Sequence, residues 1–249
     1  MNKTQIDFSS LFNKETVQLI HGDCLVAMAD LVKKGIKVDA IITDPPYNIS
    51  KENNFSTMKS AKRQGVDFGE WDKGFDLLSW LNIADKLLKD GGNIVIFNSF
   101  LNIGTIAKTL EQHGYSVKDL IRWIKPNPMP RNMSSRFVSD YELAIWCVKG
   151  KKKWTFNNNS GSYLRPEIKC PAPSGKERLG HPTQKPVCLM EFLVKTLTNP
   201  RELVLDPFMG SGSTGIACVR QNRHFIGVEL DEKIMKALKN SYNKKEKIL

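Results

Sequence analysis

Residues Ile41–Ser50 read IITDPPYNIS, an apolar strand that stops at an acid, two prolines and a tyrosine. Pro45 and Pro46 fix φ and leave no backbone N–H, so Asp44 and the Pro45 carbonyl make a stiff pair of hydrogen-bond acceptors. Two acceptors at fixed spacing suit one NH₂ group. An exocyclic amine such as adenine N6 is a poor nucleophile, because its lone pair is delocalised into the ring. Donating both hydrogens to Asp44 and the Pro45 carbonyl favours a pyramidal nitrogen with its lone pair directed outward. The carboxylate also stabilises the positive charge that develops on nitrogen during alkyl transfer. Tyr47 offers a flat face for an extruded base, and such stacking contributes on the order of 1–3 kcal/mol. That offsets part of the few kcal/mol lost when a base leaves a duplex. Asp44, Pro45, Pro46 and Tyr47 are therefore candidate catalytic residues. A rigid turn closing a strand would use the same prolines, so a second motif has to decide.

That second motif is LDPFMGSGSTG, Leu205–Gly215, a glycine turn between a strand and a helix. Gly210 and Gly212 allow backbone angles and a close ligand approach that a β-carbon would block. Ser213 or Thr214 is placed to cap the helix. Glu229 follows Gly210 by 19 residues, at the end of the next apolar run. A carboxylate there suits the two ribose hydroxyls of a nucleoside cofactor. The turn is neither G-x-G-x-x-G nor a P-loop, since no Gly-Lys-Ser/Thr follows. Asp206 would repel a pyrophosphate but suits an amino group or a sulfonium. The pattern points away from NAD and toward S-adenosylmethionine.

Strand-like runs alternate with helical ones around these motifs. VQLIHGD and VDAIITD read as strands ending at Asp23 and Asp44. DLLSWLNIADKLLKDGG has helical spacing and a glycine stop, NIVIFN is a strand, and a helix follows over residues 101–113. YSVKDLIRWI and YELAIWCVK read as antiparallel strands flanking the proline-rich KPNPMPRNMSSR. Residues 150–180 form an inserted region of loops and short strands. PVCLMEFLVKTLT is helical; ELVLD and HFIGVEL are strands, with a helix to about Arg220 between them and a final basic helix whose Met235 and Leu238 pack on the sheet. This alternation predicts a doubly wound, mostly parallel sheet with helices on both faces. Ligands then sit beyond the carboxyl ends of the strands, where Asp23, Asp44, Asp206 and Glu229 converge.

A chain of 249 residues, 41% hydrophobic and 25% charged, fits one large α/β domain, here taken as 1–249. No apolar run is long enough for a membrane span, and MNKTQIDFSS lacks the core of a signal peptide, so a cytoplasmic protein is expected. Five scattered cysteines without CxxC spacing and four histidines without a helical pair give no disulfide framework and no zinc site. The cysteines read as small apolar core residues. The net charge of +11 is concentrated: residues 118–185 hold 14 Lys and Arg against 5 Asp and Glu. That suits a polyanion-binding surface. Arg131, Arg136, Lys151, Lys152, Lys153, Arg165 and Lys169 are candidate DNA contacts, the lysines to phosphate and the arginines also to guanine. Met129 and Phe137 read as packing residues.

DPPY together with DPFMGSGST resembles the amino-methyltransferases of DNA. The catalytic motif precedes the cofactor motif with a basic segment between, an order similar to the beta group of bacterial adenine-N6 DNA methyltransferases of restriction–modification systems. The resemblance covers residues 17–242. It implies a Rossmann-like S-adenosylmethionine-dependent fold with circularly permuted motifs, and it implies roles residue by residue. HGDCL would place Asp23 and Cys24 near the cofactor's adenine. HPTQKP would bring His181, Thr183, Gln184 and Lys185 to its methionine end, with Lys185 pairing the carboxylate. Asp44, Asp206, Phe208, Gly210, Ser211, Gly212, Ser213, Thr214 and Glu229 complete the cofactor set; Ser213 replaces a threonine common in the family. Residues 150–180 would carry target recognition, and Asn48 to about Gly69 a loop that closes on DNA. Double-stranded DNA, a cognate restriction endonuclease and a second copy of the chain are the implied partners. Cytosine N4, an RNA adenine or a glutamine amide would satisfy the same acceptor geometry. A non-catalytic DNA-binding protein of this fold is the rival from another class.

Overall fold

The computed structural model describes residues 5–6, 16–48, 74–128, 134–135, 137–173, 184–236 and 238. Nine strands form one sheet: β1 (Gln5–Ile6), β2 (Val17–His21), β3 (Val38–Thr43), β4 (Leu88–Asn98), β5 (Tyr115–Ile124), β6 (Tyr141–Lys149), β7 (Glu167–Lys169), β8 (Leu203–Asp206) and β9 (His224–Glu229). Their spatial order is β1-β2-β9-β8-β3-β4-β6-β5-β7. From β2 to β4 all neighbours are parallel. β6 then runs antiparallel to β4 and, as YSVKDLIRWI and YELAIWCVK predict, to β5, and β7 lies parallel to β5. The chain leaves β3 toward β4 on one side and returns to β8 on the other, so β3 and β8 mark the reversal of strand order.

The central strand shows why the sheet must be covered twice. In β3, Val38, Ala40, Ile41 and Ile42 are all fully buried, the continuous apolar run expected of a parallel strand between two helical layers. On one face Ile42, Val95 and Phe97 meet Leu189, Leu193 and Val194 of α4 (Val187–Leu197) and Ala217 and Cys218 of α5 (Ser213–Arg220). On the other, Ile41, Ile94 and Ile96 meet α1 (Cys24–Lys33), α2 (Leu81–Leu87) and α3 (Phe100–Gln112). Met235 and Leu238 are buried against the first of these faces, as their spacing predicts.

Three local expectations change. The helix over DLLSWLNIADKLLKDGG keeps only Leu81–Leu87, because Leu88 already pairs with Val38 and the glycines fall inside β4. Phe137 is 99% exposed and so is not a packing residue among the described residues, whereas Met129 lies outside them. Cys147 and Cys218 are buried thiols, but Cys170 and Cys188 are joined as a disulfide pair with their Cα atoms 6.6 Å apart. The fold brings the residue after β7 against the first turn of α4, a proximity that a separation of 18 residues does not advertise. Among the described residues no helix is long and apolar enough to cross a membrane, and no cluster of three or more His, Cys, Asp or Glu is arranged to hold a metal ion.

Candidate active site

The four acids at strand ends stand on four adjacent strands, β2, β9, β8 and β3, at one edge of the sheet. Asp23 follows β2 and caps α1, its Oδ1 accepting from the backbone N–H groups of Leu25 at 2.9 Å and Val26 at 3.1 Å. Gly22, just before it, donates to the Glu229 carbonyl at 2.9 Å, which ties the ends of β2 and β9 together. Cys24 opens α1 half-buried. Burial, and then the Asp23 charge, push its thiol up to about 12, so it stays protonated.

Glu229 and the glycine turn form one unit. Gly210 N–H donates to Glu229 Oε2 at 2.9 Å, and Asp231 N–H donates to Oε1 at 2.7 Å. Burial raises the Glu229 carboxyl above its usual range, and those two N–H groups oppose the rise. Gly210 and Gly212 both hold positive φ, 52° and 76°, in the region where a side chain is strained. Neither Ser213 nor Thr214 caps α5 as expected. Gly212 itself is the N-cap of α5, and no side chain caps it. The two hydroxyls work elsewhere: Ser213 Oγ donates to the Lys185 carbonyl at 2.6 Å, and Thr214 Oγ1 to Asp206 Oδ2 at 2.8 Å. Ser211 Oγ lies 3.1 Å from Ser213 Oγ.

Asp206 is almost fully buried. Thr43 Oγ1 donates to its Oδ1 at 2.7 Å, and the Phe208 N–H joins at 3.2 Å. Burial pushes its carboxyl up to about 6 despite these donors, with the nearby Asp44 charge adding to the rise. At neutral pH it is ionised. Phe208 has its ring edge-on to Phe75 and Trp80, with centroids 5.4 Å and 5.3 Å apart.

Asp44, just past β3, is held from two sides. Tyr47 donates its phenol O–H to Asp44 Oδ1 at 2.7 Å, and the Lys185 ammonium contacts Oδ2. Asn102 of α3 donates to the Tyr47 carbonyl at 2.8 Å and to Asn98 Oδ1, which pins the DPPY corner to the start of α3. Lys185 has partners that the sequence reading did not assign it. Its ammonium is spent inside the protein, on Asp44 and on Glu142 Oε2 at 3.1 Å, beneath the Tyr47 and Phe97 rings. The side chain is only 4% exposed and lies against these two acids. Gln184 is buried beside it; His181 and Thr183 lie outside the described residues.

Glu142 and Lys125 were not visible as site residues in the sequence. Because β6 is antiparallel to β4, its second residue arrives at the same edge where the parallel strands end, with Leu143 opposite Asn98. An acid at the start of a strand predicted antiparallel is the only signal that pointed there.

The basic residues divide. Lys152 stands 3.8 Å from Asp90, near the start of β4, and Gly150 N–H donates to the Gly114 carbonyl before β5. Lys151, Lys152 and Lys153 thus lie at the opposite edge of the sheet, away from Asp44 by roughly 20–25 Å of strand length. Lys169 pairs in register with Ile124 at the Asp44 edge and is 75% exposed. Arg165 is exposed ahead of β7. Arg131 and Arg136 lie outside the described residues, as does most of the segment from Asn48 to Gly69.

A doubly wound sheet, a glycine turn with positive φ, an acid at or just past the end of each of four neighbouring strands and a rigid DPPY corner together define a Rossmann-like, S-adenosylmethionine-dependent DNA methyltransferase. A DNA methylase family, N6_N4_Mtase, matches residues 38–240, and the chain belongs to it. It is 33% identical to the Type II methyltransferase M2.MboI of Moraxella bovis over 241 residues, 90% of this chain and 87% of that protein. It is 31% identical to the Type II methyltransferase M.HinfI of Haemophilus influenzae, of whose length it spans 65%, with 86% of this chain covered. Among solved structures, the M1.HpyAVI–SAM complex superposes with a TM-score of 0.76 at 42% identity, covering 91% of this chain and 99% of that one. The cytosine-N4-specific PvuII DNA methyltransferase shares the fold, with a TM-score of 0.68 at 17% identity over 92% of this chain and 93% of that one. The methyl donor of this family is S-adenosylmethionine.

Proposed function

We propose that this chain transfers a methyl group from S-adenosylmethionine to the N6 amine of an adenine flipped out of a specific double-stranded DNA site. The observation that carries this reading is the juxtaposition of two neighbouring strand ends. Asp44 closes β3, and Asp206, with the glycine turn behind it, closes β8. Thr43, one residue before Asp44, donates directly to Asp206. An amine held at Asp44 is therefore next to a cofactor held at the glycine turn.

The residues fit the cofactor's chemistry. Gly210 and Gly212 present backbone without a β-carbon, Glu229 suits ribose hydroxyls, and the ionised Asp206 suits a cationic ligand and opposes a pyrophosphate. When bound, S-adenosylmethionine supplies an electrophilic methyl on a sulfonium. The protein supplies orientation. The Asp44 carboxylate and the Pro45 carbonyl take the two amine hydrogens and sharpen the nitrogen lone pair. The same carboxylate stabilises the positive charge that grows on nitrogen, whose surplus proton is then lost to water. The Tyr47 ring stacks on the base, held in place by its own O–H bond to Asp44 and by Asn102. Lys169, exposed at the Asp44 edge, and Arg165, exposed ahead of β7, are placed for phosphate contact. The Type II methyltransferase relatives support a place in a restriction–modification system, and a cognate endonuclease is the partner that this reading implies.

Nucleoside mass spectrometry on duplex DNA incubated with the protein and labelled cofactor tests the reading. Labelled N6-methyladenine is expected. Label in N4-methylcytosine alone would move the acceptor to cytosine, and no labelled base at all would overturn the proposal.

A further inference from the structure

Behind the DPPY corner runs a chain of alternating charges that the amine chemistry does not by itself require. Asp44 meets Lys185, Lys185 meets Glu142 at 3.1 Å, and Glu142 Oε1 meets Lys125 at 2.5 Å. The four residues come from four places: the end of β3, the segment before α4, the start of β6 and the residue after β5. Both acids keep part of their surface toward solvent, 19% for Asp44 and 27% for Glu142, while the Lys185 side chain between them keeps 4%. An ammonium buried this deeply is strongly unfavourable unless paired. Two carboxylates rather than one hold it, and its backbone carbonyl is fixed by Ser213 of the glycine turn. Lys125 closes the far end against the Trp123 ring, 4.6 Å away.

We propose that Lys185, shared between Asp44 and Glu142, is a positioning residue for methyl transfer: it fixes the orientation of the Asp44 carboxylate and keeps it the ionised, acceptor-only group that an incoming amine requires. A protonated Asp44 would present an O–H donor to an NH₂ group, which is the wrong polarity. Burial is the largest influence on Asp44 and raises its carboxyl above the usual range; the Lys185 charge opposes that rise and the Glu142 charge adds to it. For Lys185 burial pulls downward, and the Asp44 and Glu142 carboxylates override it and hold the ammonium above the ordinary lysine value. Glu142 is held low, because the Lys185 and Lys125 charges outweigh its burial. Glu142 thus secures the cation while its own charge works against Asp44 ionisation. The groups that face Asp44 are Tyr47 on its own segment, Lys185, Glu142 with Lys125 behind it, and Asp206 at the end of β8.

The two partners must therefore move the enzyme's pH dependence in opposite directions, which a role in folding alone would not produce. This inference rests on the proposed role of Asp44, so Asp44→Asn is run alongside. Single-turnover methylation of duplex DNA is measured from pH 5.5 to 9 for wild type, Lys185→Met, Glu142→Gln and Asp44→Asn, with cofactor and DNA affinities measured separately. Lys185→Met is expected to move the acidic limb up by at least one pH unit and to lower the rate at pH 7 by tenfold or more, with DNA affinity within about threefold. Glu142→Gln is expected to move the same limb down. Where Lys185→Met does not fold, Glu142→Gln decides alone: an acidic limb unmoved or moved up overturns the proposal. Limbs that coincide with wild type in both variants, while Asp44→Asn is inactive, also overturn it and leave the role of Asp44 standing. Full turnover by Asp44→Asn would instead refute the assignment of Asp44 itself.

Discussion

Replacing Asp206 by asparagine should make the protein more stable at neutral pH and worse at its task. Asp206 is 3% exposed, and burial pushes its carboxyl from the ordinary 3.8 up to about 6. A folded-state value above the unfolded one means that the folded protein binds the proton more tightly. Stability is then fully present below about pH 4 and is lost as pH rises through 6. A gap of about two units corresponds to about 3 kcal/mol, all of it lost above pH 7. Asparagine keeps the shape without the charge. Its NH₂ must face a hydroxyl that now donates, Thr43 or Thr214, at a cost of about 1 kcal/mol. The variant should therefore be about 1 kcal/mol less stable than wild type near pH 4 and about 2 kcal/mol more stable at pH 7.5. Urea unfolding of both proteins across that range measures the difference directly, because other titrating groups are common to the two. Cofactor affinity at pH 7.5 should fall, since the acid that attracts a sulfonium is gone. A stability difference that does not change with pH would refute the titration assigned to Asp206.

Other substitutions probe the remaining contacts. Gly212→Ala forces a β-carbon into a φ of 76° and should cost roughly 1–2 kcal/mol, seen as a lower melting temperature, together with loss of cofactor binding by calorimetry. Thr214→Val removes the donor to Asp206 Oδ2. It should cost roughly 1.5–3 kcal/mol at pH 8 and distinctly less at pH 5, because a hydrogen bond to a carboxylate is the stronger one; equal losses at both pH values would contradict this. Changing Lys151, Lys152 and Lys153 together to alanine should leave the salt dependence of DNA binding unaltered, since they stand at the far edge of the sheet. Lys169→Ala at the near edge should lower that slope by about one.

Much of this architecture is written locally. The apolar runs ending at Asp23, Asp44, Asp206 and Glu229 become β2, β3, β8 and β9, and the acids stand side by side, because strand ends in a parallel sheet share one edge. The glycine turn is equally plain, since its two positive-φ positions carry the residue that tolerates them. What local pattern could not show is partnership across long separations. Lys185 reads as a cofactor ligand because HPTQKP precedes the glycine turn, yet its partners Asp44 and Glu142 are 141 and 43 residues away and meet it only once β6 has run back along β4. The three lysines after β6 stand at the far edge for the same reason: an antiparallel strand carries its far end away from the site that its near end serves. Ser213 and Thr214 look like caps by position, but a carbonyl and a buried carboxylate supplied by other elements take their hydroxyls.

The central claim is geometric: the DPPY corner and the glycine turn serve one reaction. A crystal structure of this chain with S-adenosylmethionine tests it most directly. Allowing about 3 Å for a hydrogen bond to the amine and about 3–3.5 Å for its approach to carbon, the transferable methyl carbon should lie within about 6 Å of the Asp44 carboxylate and face it. A methyl carbon well beyond that distance, or turned away from Asp44, would contradict the account.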